Sequence, residues 1–150
     1  MAINQEVEMT DEEIDDFLGR HETGVLSLAQ TDEPYAIPVS YGYHEAEREF
    51  YMRLVSTPES EKREFLDSSP AARLVIYNEQ DPIYRSVVAS GTLVDIPPSE
   101  LTADQIAQYG RAKRPLFEIW AQSKDELDIE LYRLDPDSLE GRRTEVDREE

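Results

Sequence analysis

Between Thr23 and Ile96 the chain passes through five segments dense in apolar, β-branched and aromatic residues, most of them parted only by a few turn formers. They run Thr23–Gln30, Tyr35–Tyr43, Glu49–Leu54, Ala71–Asn78 and Ile83–Ile96. Segments of this length and composition read as strands. The connection Thr31-Asp32-Glu33-Pro34 and the polar turn His44–Arg48 are too short to hold a crossover helix. Consecutive strands joined this way must pair antiparallel. A sixth segment, Leu127–Leu134, alternates and predicts a closing strand. Such a meander removes its long edges by closing into a barrel. Within the second strand, Pro38 cannot donate to a ladder and marks an edge or a bulge. Gly42 permits close approach of a backbone or a ligand.

Helices are expected at the periphery. Thr10-Asp11-Glu12-Glu13 has the pattern of a capping box, and Ile14, Phe17 and Leu18 follow on one helical stripe. Glu61–Asp67 predicts a short helix burying Phe65 and Leu66. Ser99 to about Gln108 and Pro115–Ser123 give two more helical stretches. The organisation expected is one domain over 1–150, with an N-terminal helical segment at 1–20 and a frayed tail at 141–150. The class expected is mainly β with peripheral helices.

Charge limits the partners. The chain carries 34 acidic against 15 basic residues, a net charge of −19. That surface repels nucleic acid and anionic membranes. The acids are spread along the whole sequence, as in the solubilising coat of a halophile. No run of about 18 uncharged apolar residues occurs, so no spanning helix is expected. The acidic N-terminus lacks the basic-then-apolar order of a secretory leader, and a cytoplasmic location is expected. Cysteine is absent, so disulfides, thiolate metal sites and a cysteine nucleophile are excluded. The two histidines, His21 and His44, lack metal-ligand spacing, and no metal is expected. No Ser-His-Asp arrangement is legible.

The most informative stretch is Phe50–Leu66 taken with Tyr84–Gly91. Ser60 leads into a helix whose first turn carries Lys62. Free N–H groups, a hydroxyl and an ammonium together make a phosphate cradle. Arg53, on the preceding strand, offers a second cation. The alternative is that Ser60 is only a cap and Lys62 only solvated. His44 reads as a solvated turn histidine, and His21 as a partner of its helix dipole. Trp120 reads as core or interface. Arg111, Lys113 and Arg114 form the densest basic cluster, open between an internal partner and an anionic ligand.

Four segments, GVLSLA, PYAIPVSYGY, FYMRLVSTPESEK and YRSVVASGTL, resemble in order and spacing the pyridoxamine 5'-phosphate oxidase-like, FMN-binding split-barrel family. The resemblance implies an antiparallel split β-barrel, a homodimer with FMN at the subunit interface, and redox chemistry on a small molecule. Catalytic side chains are not assigned. It implies that Pro38, Val39, Ser40 and Tyr41 lie against the flavin ring largely through backbone groups. Met52 and Arg53 would flank the flavin, Ser60 and Lys62 would grip its phosphate, and Ser86, with Arg85 beside it, would face the ring. A deazaflavin is the alternative cofactor. The chain departs from the true oxidases at Ile37, Gly42 and Glu61, where they carry cations, and it lacks their C-terminal Arg-x-His motif. Pyridoxamine phosphate is therefore not the expected substrate. The thinner charge leaves two alternatives to an oxidoreductase: a non-catalytic flavin-binding or storage protein, and a cofactor-less interaction module.

Overall fold

The computed structural model describes residues 2–30, 32–56, 64–66, 71–80, 82–103, 105–107 and 128–147. Eight strands form one antiparallel sheet: β1 (Ala2–Glu8), β2 (Thr23–Gln30), β3 (Glu33–Ser40), β4 (Gly42–His44), β5 (Glu49–Ser56), β6 (Ala71–Gln80), β7 (Ile83–Asp95) and β8 (Asp128–Asp147). Helix α1 (Asp11–Arg20) follows β1. The strand order is β3-β2-β6-β7-β8-β5-β4, with β1 added to β8. The two ends curl toward one another, so that β3 also approaches β5. The fold is the antiparallel split β-barrel with peripheral helices that the sequence implies.

Alternation builds the core. Leu26 and Leu28 of β2, Leu74 and Ile76 of β6, Val87, Ala89 and Leu93 of β7, and Leu134 of β8 lie on the inner face and are buried. They meet Val39, Phe50, Met52 and Leu54 in one cluster. Each large apolar side chain so buried contributes about 1.5–3 kcal/mol. Helix α1 closes one side of this cluster with Ile14, Phe17 and Leu18. Its start is the expected capping box: the Glu13 amide donates to Thr10 Oγ1 at 3.2 Å, and the Thr10 amide donates to Glu13 Oε1 at 3.1 Å. Two tyrosines hold the helix to the sheet. Tyr41 donates to the Leu18 carbonyl at 2.8 Å, and Tyr43 donates to Asp15 Oδ1 at 2.6 Å. Burial drives both phenols well above their usual range. Arg48, left-handed at φ 54° in the β4–β5 turn, donates to the same Asp15 oxygen at 3.1 Å. His21 caps the end of α1 with its ring 4.3 Å from that of Phe17. Burial lowers its pKa, with Arg20 adding to the effect.

Several boundaries differ from the sequence expectation. The segment 1–20 is not all helix, because Ala2–Glu8 pairs with β8. The tail is not frayed over Gly141–Asp147: this stretch is the far half of β8, held between β1 and β7. The closing strand therefore runs for 20 residues, well past Leu134. A register shift opposite Ser90 and Gly91 absorbs Pro136 within it. The strand expected over Tyr35–Tyr43 breaks at Tyr41 into β3 and β4. His44 lies in β4 opposite Glu49 rather than in a solvated turn. A 3-10 turn at Pro98–Glu100 precedes the helical turn expected from Ser99, and Thr102 caps that turn reciprocally with Gln105. Phe65 and Leu66 are buried, as expected of the helix placed there, and Phe65 stacks on Tyr35 at 5.2 Å. Residues 61–63 and 67 of that expected helix, and all of Pro115–Ser123, lie outside the described residues.

Candidate functional site

The candidate site is the outer face of the sheet. Strand register places residues there in cross-strand rows. One row reads Pro38, Val25, Val75, Val88 and Glu140 across β3, β2, β6, β7 and β8. Two residues along on one side, Ser40 lies opposite Thr23, and Ser86 lies between Tyr77 and Arg142. Two residues along on the other, the row reads Ala36, Ser27, Arg73, Ser90 and Ser138. The central row is apolar across four strands, and its three valines are only half-buried. Tyr77 beside it is 64% exposed. A solvated sheet face is normally polar, so a contiguous apolar stripe here marks a contact surface. Among the described residues β3 pairs with β2 alone, on one of its two edges.

The sequence candidates divide between the two faces. Pro38, Ser40 and Ser86 share the outer face by alternation. Val39, Tyr41 and Met52 are core residues, at most 3% exposed. They support a wall from behind, and could touch a ligand only through backbone groups. Arg53, half-buried, is turned to the opposite face of β5 from Met52. Arg85 and Ser86, adjacent in sequence, take opposite faces of β7. Arg85 lies across from Asn78 and Arg143, close enough to Glu13 of α1 to help lower its pKa after the stronger pull of the Thr10 amide. Ser60 and Lys62 lie outside the described residues, as do Arg111, Lys113, Arg114 and Trp120.

One buried hydroxyl is left open. Ser40, 3% exposed, has no hydrogen-bond partner for Oγ among the described residues. A buried hydroxyl without a partner costs about 1–3 kcal/mol. His44 Nδ1 is in the same condition, with its ring edge-on to Tyr51 at 6.5 Å.

A cavity of about 290 Å³ opens where β8 bulges and is lined by Glu47, Arg48, Glu49, Asp135, Pro136 and Asp137 among others. Arg133 ties together two of its lining carboxylates. Its Nε lies 2.5 Å from Asp135 Oδ1 and 3.2 Å from Glu49 Oε2. Tyr51 donates to Glu49 Oε1 at 3.1 Å, and burial pushes that phenol up to about 12. Burial, and then a hydrogen bond to Asp135, raise the Glu49 carboxyl above its ordinary range. Such a group stabilises the fold fully below its unfolded pKa, and that contribution is lost as pH rises through the folded one. Glu49→Gln removes the ionisation and keeps one acceptor oxygen for Tyr51, giving up the Arg133 contact to the second oxygen. It is expected to raise Tm relative to wild type at pH 7, and to lose that advantage below pH 4.5. Melting curves at the two pH values check this, and an advantage that grew on acidification would contradict it.

Sequence reasoning did not reach Val25, Val75, Tyr77, Val88 or Arg142 as site residues. Alternation puts each on one of two faces, but only the register shows that they line up.

Comparison with known proteins bears on this geometry. The family model of pyridoxamine 5'-phosphate oxidase matches residues 10–143. No curated protein matches the sequence significantly. Solved structures match almost end to end at low identity. A Corynebacterium glutamicum protein named for pyridoxamine 5'-phosphate oxidase is 17% identical, with TM-score 0.69 over 99% of this chain and 100% of its own. An FAD-binding protein of Mesorhizobium loti is 16% identical, with TM-score 0.68 over 95% and 98%. An FAD-binding protein of Mycobacterium smegmatis is 14% identical, with TM-score 0.65 over 94% and 100%.

Proposed function

The chain belongs to the pyridoxamine 5'-phosphate oxidase family, and on that premise we propose that it is a homodimeric flavoprotein that holds FMN between subunits and acts as an oxidoreductase on a small molecule. The observation that carries this reading is the outer face: an apolar row across four strands, edged by the hydroxyls of Ser40 and Ser86 and by the edge of β3 that is unpaired among the described residues. A flat, amphipathic ring needs such a wall and a few fixed hydrogen bonds. The unpartnered Ser40 Oγ is one hydrogen bond waiting to be completed. Two similar structures are named as FAD-binding proteins, which supports a flavin as the ligand class.

Within this reading Pro38 and the β3 backbone carry the ring, and Ser86 sets its orientation. Ser60 and Lys62 take the phosphate. A bound flavin supplies two-electron transfer, and the protein's share is binding, orientation and exclusion of water. Pyridoxamine phosphate is not the substrate proposed. Ile37 packs against the core and Gly42 is buried, so neither position offers a cation to a substrate phosphate.

The purified protein is expected to be yellow, or to take up added FMN with quenching of flavin fluorescence. Lys62→Ala is expected to weaken FMN binding about ten-fold, the loss of roughly 1.4 kcal/mol that one charge-assisted contact supplies, with an unchanged far-UV spectrum. A colourless protein that binds neither FMN nor FAD would overturn the cofactor, and unchanged affinity in Lys62→Ala would overturn the phosphate site. Bleaching of the bound flavin by a nicotinamide donor separates an enzyme from a flavin store.

A further inference from the structure

Three arginines among the described residues, Arg53, Arg73 and Arg85, make no ion pair and no side-chain hydrogen bond there. Their surroundings differ. Arg53 stands across from Leu131. Arg85 stands between Asn78 and Arg143, toward α1. Arg73, exposed on the outer face of β6, stands between Ser27 of β2 and Ser90 of β7. Its diagonal neighbours include Val25, Val88 and Thr92. None of these five residues is a carboxylate, in a chain where 34 of 150 residues are acidic. Ser27 and Ser90 are half-buried, and their hydroxyls also lack a partner among the described residues.

A cation between two open hydroxyls is suited to an oxyanion. The arginine fork matches the two coplanar oxygens of a carboxylate. The serine hydroxyls can donate to it from the sheet beneath. One guanidinium balances a monoanion, whereas a phosphate dianion would stay half-compensated. A chain of net charge −19 repels anions in general. An anionic ligand therefore needs a cation whose neighbours are uncharged, and Arg73 is one. Its place matters as well. Val75 and Val88 of the apolar stripe are the next outward residues on β6 and β7. The Arg73 row thus runs beside the stripe, about 7 Å along the strands, and borders the wall assigned to the flavin without occupying it.

We infer that Arg73, with Ser27 and Ser90 on either side, receives the carboxylate of the small molecule that exchanges electrons with the flavin. This rests on the flavin reading above and names the class of its substrate: a flat molecule with a carboxylate at one end. The flat part lies against the flavin ring, and the arginine stem spans the one-row step to the anion. The seat is separate from the one proposed for the flavin phosphate at Ser60 and Lys62.

The test uses FMN-loaded protein at constant ionic strength, titrated with benzoate, with its neutral isostere benzamide and with phenyl phosphate. Binding is read as a perturbation of the flavin absorption band, so no turnover is needed. Wild type is expected to bind benzoate at least ten-fold more tightly than benzamide, and more tightly than phenyl phosphate. Arg73→Gln should bring the benzoate and benzamide affinities to within about two-fold of each other and leave the FMN Kd within about two-fold of wild type. Ser90→Ala should weaken benzoate about three-fold and leave benzamide unchanged. A protein that takes up no FMN overturns the flavin reading and the carboxylate seat together. FMN-loaded wild type that binds neither benzoate nor benzamide, or binds both equally, overturns the seat alone. So does a benzoate preference that survives Arg73→Gln. Tighter binding of phenyl phosphate than of benzoate overturns the carboxylate. An Arg73→Gln protein that loses FMN affinity ten-fold would assign the arginine to the flavin's own phosphate, which also overturns the inference.

Discussion

Gly91→Ala is expected to destabilise the fold by at least about 3 kcal/mol, the upper range for forcing atoms into a filled space. A Cβ at Gly91 would stand 2.0 Å from the Asp135 carbonyl oxygen, 2.8 Å from its carbon and 2.8 Å from Pro136 Cα. All three are backbone atoms, so no side-chain rotation relieves the clash. Gly91 does not have a positive φ. The position needs glycine for space rather than for backbone freedom. It sits at the register shift where β7 and β8 pass the proline, in the longest ladder of the sheet. Opening the strands there separates the inner residues Leu93 and Leu134 from their neighbours. Urea unfolding followed by far-UV circular dichroism measures the loss. Gly19→Ala in α1 is the control: no atom lies within 4 Å of where its methyl would stand, so it should be neutral or stabilise by up to about 1 kcal/mol. A Gly91→Ala protein as stable as wild type would mean that the bulge lies elsewhere.

Phe50→Ala is expected to cost about 3–5 kcal/mol, a large share of the roughly 5–15 kcal/mol by which a domain is usually stable. Phe50 is fully buried on β5 opposite Leu134. Its ring meets Tyr41 edge-on at 5.6 Å and Tyr43 tilted at 4.9 Å. Those are the two tyrosines that hold α1, through the Leu18 carbonyl and Asp15. Truncation therefore leaves a cavity and also loosens the helix. Hydrogen exchange should show α1 amides losing protection more than the β6–β7 ladder, and urea unfolding should give the total cost. Phe50→Leu, which keeps most of the volume, is expected to cost less than about 1.5 kcal/mol. Equal losses for the two substitutions would mean that ring packing is not what the site needs.

Much of the local structure was legible in the sequence. Alternating β-branched residues located β2, β6 and β7 to within about two residues, and the Thr10–Glu13 pattern located the start of α1. Where the expectation failed, a distant partner made the difference. Ala2–Glu8 and Gly141–Asp147 are polar and look unstructured alone, but each is the other's hydrogen-bond partner across most of the chain length. The same holds for the site. Arg85 and Ser86 read as neighbours in sequence, yet a strand sends consecutive side chains to opposite faces. Arg85 goes toward α1, and Ser86 stands beside Tyr77.

Residues within a few positions of one another were enough to set the strand-rich class, the capped helix, the apolar positions of the core and the acidic surface. Long-range pairing settled the rest: the 20-residue span of β8, the joining of the two chain ends, and the row that sets Pro38, Val25, Val75 and Val88 side by side. The reason is register. A period of two assigns every residue to one of two faces, and only pairing between strands far apart in sequence fixes which residues become neighbours on them.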